Sequence, residues 1–224
     1  MNLKDIISFL KSQKNPRNLA GMARFGINTK FAFGIPIPVL RDLAKKIGKN
    51  HLLAHELWKT GYHDARILAS YIEEPHLISE KQMDSWVKDF DSWDICDQCC
   101  GNLFDKTKFV NKKINEWTKS KREFVKRAGF VLIACLSVHD KLADDNKFIK
   151  FLPFIIKAST DDRNFVKKAV NWALRQIGTR NLSLNKEAIT TAKQILLLDT
   201  KSAKWIANNA LRELKNEVIQ KRLR

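Results

Sequence analysis

Glycine and proline are scarce in this sequence of 224 residues, which contains eight glycines and five prolines. Their scarcity, together with the lack of alternating β-branched segments, disfavours a sheet and favours helices joined by short turns. No apolar run approaches the roughly 18 residues of a membrane span. The start, from Met1 to Ile7, carries an acid and lacks a cleavage site, so it predicts an amphipathic helix and not a secretory signal. We therefore expect an all-α protein with no membrane segment.

Cysteine is also rare, and three of the four copies crowd together at Cys96, Cys99 and Cys100. This spacing gives no disulfide framework and fits a reducing cytoplasm. Cys96 and Cys99, with Cys135 and His139, could form a zinc site, but these cysteines fall on helix faces predicted to be core, which favours buried thiols. A Walker loop and a Gly-x-Gly-x-x-Gly segment are both missing. We expect neither a metal nor an organic cofactor.

Acidic residues are outnumbered, with 24 Asp and Glu against 41 Lys and Arg. The resulting net charge of +17 and pI of about 9.8 favour a polyanionic partner, nucleic acid ahead of an acidic membrane. The alternative is a protein that uses lysine simply for solubility.

The periodicity predicts roughly a dozen helices over a single domain, residues 1–224. Consecutive antiparallel pairs of about 40 residues have the size of a HEAT-type unit, and such pairs stack into a curved solenoid. An irregular helical bundle is the alternative. His63 and Asp64 stand at a helix start, where we expect them to act as local caps. The predicted helices cover about 2–12, 17–25, a segment through Leu40 to Ile47 that ends at Gly48, 50–60, 62–73, 79–89, 93–104, 107–118, 121–138, 144–157, 161–177, 184–198 and 201–220.

Trp93 and Asp97 stand four residues apart at a predicted helix start, so the indole and the carboxylate share a face. Cys100 and Phe104 fall on the same stripe. The pair could form a nucleic-acid site, with an acid beside an aromatic ring in a very basic protein. Alternatively, Asp97 only favours the positive end of its helix and Trp93 is partly buried core.

Two later helices carry further candidates. Trp172 lies off the apolar stripe of 161–177, near Lys168 and Arg175, where it could contact a ligand or be covered by the neighbouring basic side chains. Arg127 interrupts the almost wholly apolar helix 121–138. A buried guanidinium needs a partner, which could be a structural carboxylate, a phosphate or an active-site acid.

With these residues in view, the sequence resembles the AlkD-like family of DNA alkylation repair glycosylases, which are built of HEAT-like repeats. The similarity extends over nearly the whole chain. The matching segments are Met22-Ala23-Arg24-Phe25, Phe33-Gly34-Ile35, Leu40-Arg41, Glu56-Leu57-Trp58, Gly61-Tyr62-His63-Asp64-Ala65-Arg66, Trp93-Asp94-x-x-Asp97, Lys126-Arg127-Ala128-Gly129-Phe130 and Lys167 to Arg175.

The resemblance implies a role for each central residue. Asp97 would be the catalytic carboxylate, Trp93 and Trp172 would lie along the sugar-phosphate backbone at the lesion, and Arg127 would contact the adjacent phosphate or help to hold the site. Phe25 stands where family members often have Tyr, so a hydroxyl contact to DNA would be missing. The matched segments imply further DNA contacts from Arg24, Phe25, Lys126, Lys168 and Arg175.

The expected protein is thus a monomeric, cytoplasmic, monofunctional glycosylase that acts on double-stranded DNA containing alkylated bases. It would remove positively charged N3- or N7-alkylated purines by hydrolysis of the N-glycosidic bond. The alternative is a non-catalytic HEAT-like repeat protein that binds DNA or structured RNA through a basic concave groove. A protein-interaction scaffold is a third class, which the charge of +17 fits poorly.

Overall fold

The computed structural model describes residues 1–223, and these are helices joined by turns and loops, with no strand among them. Arg224, the last residue of the predicted domain, lies outside the described residues. The chain forms two compact units, Met1–Val110 and Asn111–Arg224. No helix among the described residues has the length and apolar content needed to cross a membrane.

The N-terminal unit starts its helices with side-chain caps. Asn2, Asn15, Asn50 and Ser79 each accept a hydrogen bond from a backbone N–H of the first turn, as short polar residues do at this position. Gly48, at a φ of +75°, ends the third helix as predicted. The helices are α1 (Leu3–Ser12), α2 (Pro16–Arg24), α3 (Ile37–Ile47), α4 (His51–Lys59), α5 (His63–Ile72), α6 (Glu80–Lys88) and α7 (Trp93–Asn102), followed by a 3-10 turn (Phe104–Lys106).

Helix α5 is the centre of this unit, because it packs against α3, α4 and α7. Ala65, Leu68, Ala69 and Ile72 are fully buried on it. Small residues at 65 and 69 let the neighbouring helices approach closely. Helix α7, which starts with Trp93, therefore packs against the central helix of this unit.

The C-terminal unit is built around one inner helix. Residues 127–137 of α9 are buried without interruption, in keeping with the almost wholly apolar sequence of this helix. It packs along α12. The helices of this unit are α8 (Val110–Trp117), α9 (Glu123–His139), α10 (Asp145–Ile149), α11 (Leu152–Ala158), α12 (Asn164–Gly178), α13 (Leu182–Leu196), α14 (Lys201–Leu214) and α15 (Glu217–Leu223).

Two segments that were each predicted as one continuous helix are divided in the structure, so these two predictions were wrong. The segment 144–157 is divided into α10 and α11, because Pro153 lacks an N–H and its ring clashes with the carbonyl four residues earlier. The segment 201–220 is divided into α14 and α15. Asn216 starts the second piece, where its side chain accepts from the N–H of Val218 at 2.9 Å.

The four cysteines are buried thiols, as the sequence favoured. Ile95, Cys96 and Cys99 on α7, and Leu103 just after it, are each at most 1% exposed, so these cysteines lie on a core face as predicted. Burial raises the pKa of the Cys99 thiol well above its usual range. Because zinc binds thiolates, this environment disfavours a cysteine zinc site.

Candidate nucleic-acid interface

Three hydrogen bonds fix the start of α7. The indole Nε1 of Trp93 donates to the carbonyl of Phe25 at 3.0 Å. Just before the helix, Asn28 Nδ2 donates to Asp91 Oδ2 at 2.7 Å. The third contact joins the imidazole of His63, on α5, to the carboxylate of Asp94. Trp93 is thus held by the loop between α2 and α3, and its ring remains half-buried.

The pair of His63 and Asp94 was missed by sequence reasoning. His63 Nε2 lies 2.8 Å from Asp94 Oδ2, and the His63 side chain is 5% exposed. Burial alone would lower the pKa of His63, but the hydrogen bond and charge of Asp94 outweigh it and raise the pKa above its usual value. Asp94 is also the acid in the first turn of α7. No local sequence signal links these residues, which are 31 positions apart.

The interpretation of His63 and Asp64 as local caps was wrong, because neither side chain caps α5. Asp64 is buried, and its carboxylate accepts from the backbone N–H of Phe33 at 2.6 Å and of Ile35 at 2.8 Å. Between these residues, Gly34 has a φ of +77°, and a Cβ there would lie 2.8 Å from the carbonyl of Asn15. The segments 33–35 and 61–66, which both belong to the resemblance described above, are therefore joined by these hydrogen bonds.

Trp93 and Asp97 are both half-buried on α7, as their shared face predicts. Further along the predicted stripe, Cys100 and Phe104 are fully buried. The accessible part is therefore confined to the first half of the helix. Asp97 is its fifth residue, one position beyond the first turn, so the helix N-terminus stabilises Asp94 more directly than Asp97.

The loop beside Trp93 presents the two N-terminal candidates. Arg24 ends α2 and is exposed, and Phe25 follows it with 73% of its surface accessible. An aromatic ring this exposed contributes little to a core, so it is available to a ligand. The structure brings Phe25 next to Trp93 through the hydrogen bond of its carbonyl.

In the C-terminal unit, Arg127 is buried at 5% exposure and its guanidinium donates to the carbonyl of Phe165 at 2.7 Å. A backbone carbonyl was not among the predicted partners. The contact joins α9 to the first turn of α12. In the same motif, a Cβ on Gly129 would lie 2.6 Å from the backbone nitrogen of Thr118, so this glycine allows α9 to approach the end of α8.

Lys126 is engaged in an ion pair, since its Nζ lies 2.8 Å from Asp161 Oδ2. Arg163 donates to the same carboxylate at 2.9 and 2.6 Å, and to the carbonyl of Lys121 at 2.7 Å. Burial would raise the pKa of Asp161, but these hydrogen bonds hold it well below its usual range. This cluster holds the start of α12.

On α12, Trp172 is half-buried and Lys168 is exposed. Arg175 is hydrogen-bonded to Glu213 of α14. Beside them, Lys167 Nζ lies 5.3 Å from the ring centre of Trp205, which is 39% exposed. This cation and aromatic pair was not predicted, because Trp205 stands on another helix.

The family model described as DNA alkylation repair enzyme matches residues 6–214. The chain belongs to this family. A solved structure covers 100% of the chain, and 96% of that structure's own chain, with a TM-score of 0.83 and 22% sequence identity. It is described as one of a new family of proteins related to the HEAT-like repeat DNA glycosylases with affinity for branched DNA structures. No curated protein matches the chain.

Membership of the DNA alkylation repair family confirms the predicted resemblance, and the structural match confirms an all-helical, HEAT-like repeat fold. The family match extends over both compact units. The matched range includes both Trp93 and Arg127.

Proposed function

We propose that this member of the DNA alkylation repair family excises positively charged N3- or N7-alkylated purines from double-stranded DNA. The observation that carries the proposal is the pairing of Asp97 with Trp93 on one face of α7, both half-buried, on a helix whose start is fixed by His63 and Asp94. These contacts hold the helix in one orientation, so the carboxylate and the aromatic ring that it carries are presented in fixed positions.

Alkylation at N3 or N7 gives the base a positive charge and makes it a good leaving group. As the C1′–N bond breaks, its electron pair leaves with the base and the deoxyribose becomes an oxocarbenium-like cation. The Asp97 carboxylate stabilises that cation and orients the attacking water, which adds to C1′ and loses a proton. The indole of Trp93 adds attraction for positive charge, worth about 1–2 kcal/mol when desolvated.

Affinity comes from phosphates, as the charge of +17 indicates. The exposed Arg24, Phe25 and Lys168 are the contacts we propose, with the half-buried Trp172. Arg127, Lys126 and Arg175 are assigned positioning roles, because each is hydrogen-bonded within the C-terminal unit. Such binding is salt-dependent and has little sequence preference. We propose a monomer in the cytoplasm, in keeping with four buried thiols.

A second candidate is the binding of DNA without excision. It is favoured by the solved relative, which is described as having affinity for branched DNA structures. The same exposed basic and aromatic residues would serve it, while Asp97 would be dispensable.

One experiment separates the two functions. The purified protein is incubated with duplex DNA carrying N7-methylguanine and the free base is measured, while binding to a four-way junction and to the matching duplex is measured in parallel. Release of the free base supports the glycosylase. Tight junction binding without release supports the second function.

A further inference from the structure

Three metal-binding side chains meet where α4 begins and α5 ends. His51, His55 and Glu73 each offer one ligand atom, and these atoms all lie within 4.8 Å of one another. His51 Nδ1 is 2.7 Å from Glu73 Oε1, and the rings of His51 and His55 are 4.8 Å apart. None of the three takes part in the proposed DNA site.

The two histidines stand four residues apart on α4, so they project from the same side one turn apart. Both imidazoles are half-exposed and can be reached from solvent. The Glu73 side chain is fully buried, and Gln82 Nε2 donates to its Oε2 at 2.7 Å. This hydrogen bond leaves Oε1 directed at His51, and outer partners of this kind orient the ligands of metal sites.

The backbone around the three residues is also fixed. Asn50 N–H donates to the carbonyl of Ile72 at 2.8 Å, and Lys49 Nζ donates to the carbonyls of Tyr71 and Glu73 at 2.9 and 2.7 Å. The positions of the possible ligands are thus set before any ion binds.

We propose that His51, His55 and Glu73 form a zinc site. Imidazole nitrogens select zinc over magnesium or calcium, and two histidines with one glutamate leave a fourth tetrahedral position for water. Zinc–nitrogen distances of about 2.0–2.1 Å place two ligands about 3.4 Å apart. His51 Nδ1 and Glu73 Oε1 would therefore separate slightly from their present 2.7 Å. The ion would join the first turn of α4 to the end of α5.

Titration of the full-length protein with zinc chloride, against a chromophoric chelator, tests the site. We expect one zinc per chain and a higher melting temperature, because an ion that binds the folded state stabilises it. His55→Phe retains a ring against Trp86 but removes the nitrogen that would bind zinc. Its zinc affinity should fall by at least about 100-fold, because loss of a ligand costs more than the roughly 10- to 100-fold lost with a ligand's hydrogen-bonding partner. Gln82→Ala removes the hydrogen bond that orients Glu73, so its zinc affinity should fall by about 10- to 100-fold.

His76→Phe is the matched control, since His76 is an exposed histidine beside Glu74. It should bind zinc like the wild type. The proposal is overturned if the wild type binds no zinc at micromolar concentration, or if His55→Phe binds as tightly as the wild type. Cobalt in place of zinc gives a second readout, because tetrahedral coordination produces visible absorption that His55→Phe should lose.

Discussion

The imidazole Nε2 of His63 lies 2.8 Å from Asp94 Oδ2 and joins α5 to the first turn of the helix that carries Asp97. Both side chains are largely buried, at 5% and 15% exposure. The pair gives α7 a fixed orientation relative to the centre of the N-terminal unit. It also makes the stability of the protein dependent on pH.

His63→Gln should destabilise the protein most at low pH. The pKa of His63 is raised above the usual value of 6.5, so the contribution of the charged pair is fully present below about 6.5 and is lost as pH rises through the folded-state pKa. The difference in unfolding free energy between wild type and variant, from urea denaturation, should be about 3 kcal/mol near pH 5.5. The difference should shrink as the pH rises through the folded-state pKa of His63. A difference that grows with pH would contradict the charged pair.

Asp64→Ala should destabilise the N-terminal unit. The substitution leaves the buried N–H groups of Phe33 and Ile35 without their acceptor. Each unsatisfied group should lower the free energy of unfolding by about 1–3 kcal/mol. Thermal melting checks this, with Asp42→Ala as control, because Asp42 is exposed and pairs with Lys45 at the surface. Equal melting temperatures for the two variants would show that the loop has other acceptors.

Gly129→Ala tests the close approach of α9 to α8. The added methyl would lie 2.6 Å from the backbone nitrogen of Thr118, so the helices must separate at a cost of about 1–3 kcal/mol. Gly21→Ala on α2 is the matched control, because nothing lies within 4 Å of its added Cβ. It should be neutral or stabilising by up to about 1 kcal/mol. Equal effects of the two substitutions would exclude the steric explanation.

Arg127→Met and Lys168→Met separate a positioning residue from a phosphate contact. Arg127→Met removes the donor to Phe165 and should lower the unfolding free energy by about 1–3 kcal/mol. Lys168→Met should leave thermal melting unchanged, weaken duplex binding and reduce the slope of log affinity against log salt by about 1. If Arg127→Met melts like the wild type but binds DNA weakly, Arg127 contacts phosphate instead.

Helical periodicity and capping residues predicted most of the fold. Gly48 marks a helix end that the structure confirms, while Pro153 was overlooked and divides a predicted helix. Periodicity also placed Trp93 and Asp97 on one face. It could not find the partners of His63, Asp64 and Arg127, because these lie 29 to 38 residues away and two of the three are reached through backbone atoms.

The proposed function depends on one claim, that the Asp97 carboxylate stabilises the cation formed on base loss. The most direct test is the single-turnover rate of N7-methylguanine release by Asp97→Asn, with duplex affinity measured alongside. Asp42→Asn is the control, because it removes the same charge from an exposed position. We predict that Asp97→Asn releases base on the order of 100-fold more slowly or worse at unchanged affinity, and that Asp42→Asn equals the wild type. Release by Asp97→Asn at the wild-type rate would contradict the claim.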